Sequence, residues 1–377
     1  MGKTKKYIAV LLTVVLCIAS GILTAKVLQW SVFHVGLPTG STGGKFFRAG
    51  ILDQYDQYIT NEISSALEGV LDIEKVYWLN DSDLIAPKPD QAKFGKSDNP
   101  AELQWLLDEA AEILEGQPTV FNTEITLYPG SEITYYLDET IFSISWREWV
   151  GEVVYTFSEV KIAHASQFRR FLADGEFGSE KQYYCTQMAE TVNAVTASNA
   201  DFYKYRSYGI VINNGVVYRA NGRVDTCCID DKGEMIFIHR GEINTQEEAE
   251  AFVKENNIRF SLSFGPIMVE EGKNVVPMQY GVGQIWEPFS RAGLAYMGER
   301  HYLLAAAGFG EYHTTMPRVW DFANELIARG CEKAYTLDGG QTATIVSNNE
   351  LMNVPDYGTQ RAVSDIIYFA TAVPDGE

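Results

Sequence analysis

The sequence has no Cys-x-x-Cys pair, no clustered histidines, no basic stretch and no internal repeat. Each absence excludes something. Five cysteines are present, Cys17, Cys185, Cys227, Cys228 and Cys331, and the vicinal Cys227–Cys228 pair is poorly spaced for a tetrahedral zinc site. The last four are read as mostly free thiols, because 377 residues with 46% hydrophobic content can bury a large core without disulfide staples. His34, His164, His239, His301 and His313 are scattered, so they argue for no metal site and no cofactor. The lack of a His/Asp cluster also argues against the common two-metal phosphoesterase chemistry. Lys and Arg number 30 against 50 Asp and Glu, a net charge of −20, and no basic patch offers itself to nucleic acid.

What is present begins at the N-terminus. Lys3, Lys5 and Lys6 precede an uncharged run from Tyr7 to Ala25, and Lys26 closes it. Positive charge before an apolar span of about 19 residues is the pattern of a signal anchor. No Ala-x-Ala cleavage site follows, and Leu16 is too bulky before Cys17 for a lipoprotein box. The expectation is an uncleaved membrane anchor over 1–28 with the body of the chain outside the cytoplasm; a cleaved signal, and hence a secreted protein, is the alternative. Residues 29–47, with Gly36, Gly40, Gly43 and Gly44, read as a linker.

Residues 48–117 read as a small helical accessory region. Helical spacing runs from Asp53 to Leu67, and Asn99-Pro100 opens a helix with Leu103, Leu106, Leu107, Ala110 and Leu114 on one face. From 118 to 377 the character changes. Ile133–Trp146 and Val153–Ala163 have strand alternation, and Gly209–Arg219 reads as a hairpin about Asn214-Gly215. Ser166–Leu172 reads as a short helix, and Thr186 caps a helix running to about Asn193. Thr245 and Glu248 form a capping box for a helix over Gln246–Asn256. Strands are expected at about 267–270, 301–307 and 365–370. Thr315 caps a helix with Trp320, Ala323 and Ile327 on one face and Gly330 past its end. Helices and strands mix without a βαβ rhythm. The expected fold is α+β: a mixed sheet with packed helices over 118–377.

Two segments can carry chemistry. In Leu337-Asp338-Gly339-Gly340-Gln341-Thr342-Ala343-Thr344 a carboxylate ends an apolar strand, two glycines permit sharp turns and close approach of a ligand, and two hydroxyls follow. An ordinary strand–turn–strand with Asp at its turn would look the same. In Ala197-Ser198-Asn199-Ala200-Asp201-Phe202-Tyr203 a short loop before the hairpin offers an amide and a carboxylate beside aromatics; an Asx turn would also use these residues. Phe264-Gly265-Pro266 reads as a structural turn into a strand.

At these segments the chain resembles the phosphodiester glycosidase family, enzymes that cut sugar-1-phosphodiesters and that include exopolysaccharide-associated bacterial members. The resemblance runs from about residue 120, and most clearly from 185, to 374. It rests on five segments in order: Ala197–Asp201 before the Gly209 and Asn214-Gly215 hairpin, Gly265-Pro266, Arg291 to Gly298, Leu337 to Thr342, and Arg361 to Phe369. Ala200 and Gln341 stand where the family has glycine, Thr342 where it has serine, and Ser290 and Ala292 where it has proline and threonine.

The resemblance implies hydrolysis between a sugar anomeric carbon and a phosphodiester oxygen in a cell-surface glycan or polysaccharide. It implies Asp338 and Asp201 as the catalytic carboxylates. Asn199, Gly339, Gly340 and Thr342 would position substrate, and Arg291 and Arg361 would grip the phosphate. A non-catalytic glycan-binding or scaffold protein that keeps the fold is the rival reading.

Overall fold

Ile133–Trp146 carries a break at Asp138. In the computed structural model its carboxylate accepts the main-chain N–H groups of Thr140 at 2.7 Å and Ile141 at 3.0 Å and the Thr140 hydroxyl at 2.8 Å. The expected single strand is therefore a hairpin of Ile133–Leu137 and Ile141–Val150. The structure describes Leu79 and residues 85–281, 284–308 and 315–373, all within one compact unit, Val76–Glu377. The expected anchor at 1–28, the linker at 29–47 and the first accessory helix at 53–67 lie outside the described residues. Among those described, no helix is long and apolar enough to cross a membrane.

That hairpin belongs to a nine-stranded sheet. Its order is Phe94–Ser97, Ile133–Leu137, Ile141–Val150, Val153–Ile162, His301–Gly308, Arg291–Gly298, Lys333–Leu337, Ile267–Glu270 and Lys273–Asn274. Alternation along His301–Gly308 shows how it is used. Leu303, Ala305 and Ala307 face one way, into a core shared with Leu103, Leu106, Ala110 and Leu114 of the helical segment at 100–114 and with Val319, Phe322, Ala323 and Leu326. Tyr302, Leu304 and Ala306 face the other way, into a core shared with two five-stranded sheets.

One of these runs Met235–Ile238, Thr226–Asp230, Ile258–Leu262, Gly209–Asn213, Val216–Asn221; the other runs Glu350–Leu351, Ile345–Ser347, Thr196–Asn199, Asp365–Phe369, Phe168–Leu172. The helix Gln246–Asn256 covers the outer face of the first through Ala249, and Cys185–Thr191 covers the second through Cys185, Met188 and Ala189. The architecture is a sheet-rich α+β fold of helices, a large sheet and a pair of smaller sheets.

Several expectations are corrected by pairing. Each pairing among the described strands is antiparallel, where a mixed sheet was expected; some partners are joined by hairpins and others are brought together from distant parts of the chain. Phe168–Leu172 is a strand and not a helix; all five residues are buried and pair with Asp365–Phe369, so tertiary contacts override the local pattern. Thr196–Asn199 is a central strand, not part of a loop. The helix expected from Thr315 starts at Val319, with the Asp321 carboxylate accepting the Arg318 N–H at 3.3 Å. Its buried face is Val319, Phe322, Ala323 and Leu326, and Trp320 points outward to stack on Trp286. The Asn214-Gly215 hairpin and the Thr245–Glu248 capping box stand as expected. Cys185, Cys227, Cys228 and Cys331 are buried free thiols.

Candidate active site

Lys333–Leu337 is an inner strand of the large sheet, and the chain leaves it at Asp338. Thr196–Asn199 is an inner strand of a smaller sheet and ends alongside. The Asp338 N–H donates to the Ala200 carbonyl at 3.1 Å. The fully buried Asn199 side chain then spans the gap. Its Nδ2 donates to the Asp338 carbonyl at 2.7 Å, and its Oδ1 accepts the Thr344 N–H at 3.0 Å. One amide, being both donor and acceptor, ties the two ends of the 338–344 loop to the neighbouring sheet.

The two glycines let that loop turn beneath Ser290. A Cβ at Gly339 would lie 2.5 Å from the Ser290 carbonyl oxygen. Gly340 has φ +65° and donates its N–H to the same oxygen at 2.9 Å. The Thr342 hydroxyl donates to the Gly339 carbonyl at 2.7 Å and closes the turn, and the Thr344 hydroxyl donates to the Thr342 carbonyl at 3.1 Å. Thr342 and Thr344 thus shape the loop; they do not share a strand face, because Gly340–Thr342 is a 3₁₀ turn.

Asp338 is 9% exposed, and its Oδ2 lies 3.1 Å from Arg361 Nη2. Burial pushes the carboxyl up to about 6, against the Thr342 hydroxyl and the charges of Arg361 and Arg206. Arg361 is itself half-exposed. Asp338, Gly339 and Gly340 line a cavity of about 200 Å³, with Ser290 and Arg291 from the adjacent strand and Phe264, Gly265 and Phe289 as further walls. The Phe264-Gly265 turn, expected to be structural only, is therefore also part of the site.

Arg291 shares the cavity, but its guanidinium is directed to the loops around it. Nη2 donates to the carbonyls of Gln284 at 2.7 Å and Glu287 at 2.6 Å, and Nε donates to that of Pro317 at 3.2 Å. Burial draws its pKa down to about 10, with the Glu287 charge opposing. Asp201 does not reach the cavity wall. Its side chain is fully buried, Oδ1 accepts the Phe202 N–H at 2.6 Å, Oδ2 accepts the Ser263 N–H at 2.7 Å, and Arg170 Nη2 lies 3.6 Å away. Arg170 also pairs with Asp365 at 2.7 Å, and Asp365 accepts the Asp201 N–H at 3.2 Å. Burial raises the Asp365 carboxyl, with the Arg170 charge opposing. Asp201 is near enough for its charge to raise Asp338.

Of the residues singled out in the sequence, Asp338, Gly339, Gly340, Arg291 and Arg361 meet at the cavity or its edge, while Asn199, Thr342 and Asp201 stand behind it. Sequence reasoning missed Ser290, whose hydroxyl donates to the Asp356 carboxylate, and missed Asp356 itself, which lies behind Gly340. It also missed Arg206 and its aromatic neighbours. The only available signal was the Phe-Tyr-Lys-Tyr-Arg run that follows Asp201.

Residues 192–370 match the phosphodiester glycosidase family. They are a phosphodiester glycosidase domain. The match holds Asn199, Asp201, Arg206, Arg291, Asp338 and Arg361, and the domain is that of a hydrolase acting on phosphodiester-linked sugars. Among solved structures, the chain is similar to the catalytic domain of zebrafish N-acetylglucosamine-1-phosphodiester alpha-N-acetylglucosaminidase, auto-inhibited by its pro-peptide. The two share 16% identity with a TM-score of 0.51, over 69% of this chain and 92% of that one, a likeness of fold. A hypothetical protein from Synechocystis matches at 15% identity and a TM-score of 0.49, over 61% of this chain and 62% of that one. No curated protein sequence matches the chain.

Proposed function

We propose that this phosphodiester glycosidase domain hydrolyses the bond between the anomeric carbon and the phosphodiester oxygen of a sugar-1-phosphodiester in a cell-surface glycan or polysaccharide. The observation that carries this reading is Asp338: a carboxyl raised to about 6, paired with the half-exposed Arg361, on the wall of a cavity of about 200 Å³. Water supplies the oxygen that ends on the sugar, and the bridging oxygen departs with the phosphomonoester. The departing phosphomonoester oxygen is weakly basic, so it needs little proton donation. The site must hold the anion, stabilise positive charge growing on the ring and accept a proton from water. Ionised Asp338 suits the last two tasks, and Arg361 suits the first. Asp201, enclosed by Ser263, Phe202 and Arg170, fixes the segment whose Ala200 carbonyl accepts the Asp338 N–H.

The domain works outside the cytoplasm in this proposal, held by the lysine-flanked span Tyr7–Ala25. Recovery of the full chain in the soluble cytoplasmic fraction would reject that placement. The reaction is tested by incubating the protein with a sugar-1-phosphodiester in ¹⁸O-labelled water. Label in the released sugar is expected. Label in the phosphate would mean P–O cleavage and a phosphoesterase. Binding of the glycan without release of sugar would favour the non-catalytic reading.

A further inference from the structure

A second guanidinium, that of Arg206, is near enough to Asp338 for its charge to act on that carboxyl, and it has no acid of its own among the described residues. Arg206 follows the short turn Tyr203–Tyr205, and its Cζ lies 4.6 Å from the ring centroid of Phe264, 5.3 Å from that of Phe202 and 5.6 Å from that of Tyr208. Its Nη1 donates to the carbonyls of Phe264 at 3.0 Å and Ser263 at 3.3 Å. Among the described residues no carboxylate lies within ion-pair distance of it. Aromatic faces hold a cation while leaving N–H groups free to donate, whereas a carboxylate partner would occupy them.

Arg361 is over the same Phe202 ring, with its Cζ 6.0 Å from the centroid. Two guanidinium groups therefore lie against one aromatic side chain, and one of them, Arg361, is paired with Asp338. Phe264, which supports Arg206, is also a wall of the cavity. The charge of Arg206 reaches the site, since it acts on the Asp338 carboxyl in the same sense as Arg361. Arg219 secures the turn that carries Arg206: its Nη1 donates to the Arg206 carbonyl at 2.5 Å and to that of Tyr203 at 3.0 Å.

We propose that Arg206 and Arg361, both held at the Phe202 ring, form a two-arginine clamp for the phosphodiester, and that Arg206 rather than Arg291 is the second phosphate ligand. Arg291 already donates to three main-chain carbonyls and holds the cavity wall. A phosphodiester has two non-bridging oxygens, one for each guanidinium. The substrate named here rests on the proposed function, but the clamp itself binds an anion and can be tested without turnover.

The probe is inorganic phosphate, titrated by calorimetry into the full chain. Arg206→Gln and Arg361→Gln should each weaken phosphate binding about tenfold or more, the usual effect of losing a charge-assisted hydrogen bond. KM for a sugar-1-phosphodiester should rise in parallel in Arg206→Gln, with a smaller change in kcat. A second measurement needs no variant: saturating phosphate should slow modification of Arg206 and Arg361 by phenylglyoxal, followed by mass spectrometry, and leave Arg300 unaffected. Unchanged modification of Arg206, or a folded Arg206→Gln that binds phosphate as the parent does, overturns the clamp. Phosphate binding that depends on Arg206 in a protein that releases no sugar would sustain the clamp and reject the hydrolytic reading.

Discussion

Asn199 donates its side-chain amide to the Asp338 carbonyl across 2.7 Å, joining strand ends that belong to different sheets. The same side chain accepts the Thr344 N–H, so it sets both ends of the loop that carries Asp338. Asn199→Ala would leave a buried carbonyl and a buried N–H without partners, at about 1–3 kcal/mol each. A stability loss of about 2–6 kcal/mol is expected by denaturant titration, with a fall in kcat in the folded fraction. Asn199→Asp should be worse, because it turns the donor toward Asp338 into an acceptor. An Asn199→Ala enzyme with parental stability would show that the amide does not hold the loop.

Asp338→Asn should abolish turnover and stabilise the fold. The folded carboxyl titrates at about 6 against 3.8 for the ordinary group, so ionisation is harder in the native state. The stabilising contribution of the proton is complete below about pH 4 and is lost as pH rises through about 6. At pH 7 the parent carries the full penalty, which Asn avoids. Urea denaturation should show Asp338→Asn more stable by about 1–3 kcal/mol at pH 7, the gap closing toward pH 4.

The same group is expected to set the pH profile of the proposed reaction. If Asp338 works as a carboxylate, kcat/KM rises with pH through a midpoint at about 6. Arg361→Gln removes a positive partner and should move that midpoint upward. A profile that falls through the same range would assign Asp338 the role of proton donor instead.

Asp201→Ala separates support from chemistry. It removes the acceptor of two main-chain N–H groups and one of the two acids beside the buried Arg170. Breaking such a buried pair costs about 3–5 kcal/mol. Thermal unfolding should shift down strongly, while folded protein keeps a kcat within about tenfold of the parent. Loss of activity as complete as in Asp338→Asn, in a protein that remains folded, would place Asp201 in the reaction.

The domain's N-terminal edge is predicted to lie ahead of residue 118. Phe94–Ser97 pairs with Ile133–Leu137, and Leu103, Leu106 and Leu114 are buried against the large sheet. Each such leucine contributes about 1.5–3 kcal/mol. A chain beginning at 118 should be insoluble or lack a cooperative transition in calorimetry, and one beginning at Val76 should fold. A cooperative transition in the shorter chain would show that 85–117 is dispensable.

Features that depend on a few adjacent residues were legible in the sequence. The Asn-Gly turn needs only positive φ at two positions, and the Thr245–Glu248 box only a side chain three residues from its partner N–H. Asp338 was legible too, because a carboxylate followed by two glycines is a local pattern. Phe168–Leu172 was not. Its five buried residues become a strand through pairing with Asp365–Phe369, almost two hundred positions away. Thr196–Asn199 was misread as part of a loop for the same reason, since its partners are Ile345–Ser347 and Asp365–Phe369.

The sequence by itself determined the class of fold, the family resemblance and the carboxylate at the end of an apolar strand. These follow from composition, periodicity and short motifs. Only the tertiary structure decided which charges face the cavity. It turned Asp201 inward to Ser263 and Phe202, directed Arg291 to three carbonyls, and brought Arg206 and Arg361 to one phenyl ring. The physical reason is that a side chain's chemistry is set by its partners. Those partners come from strands and loops distant in sequence, and they meet only when the three sheets pack together.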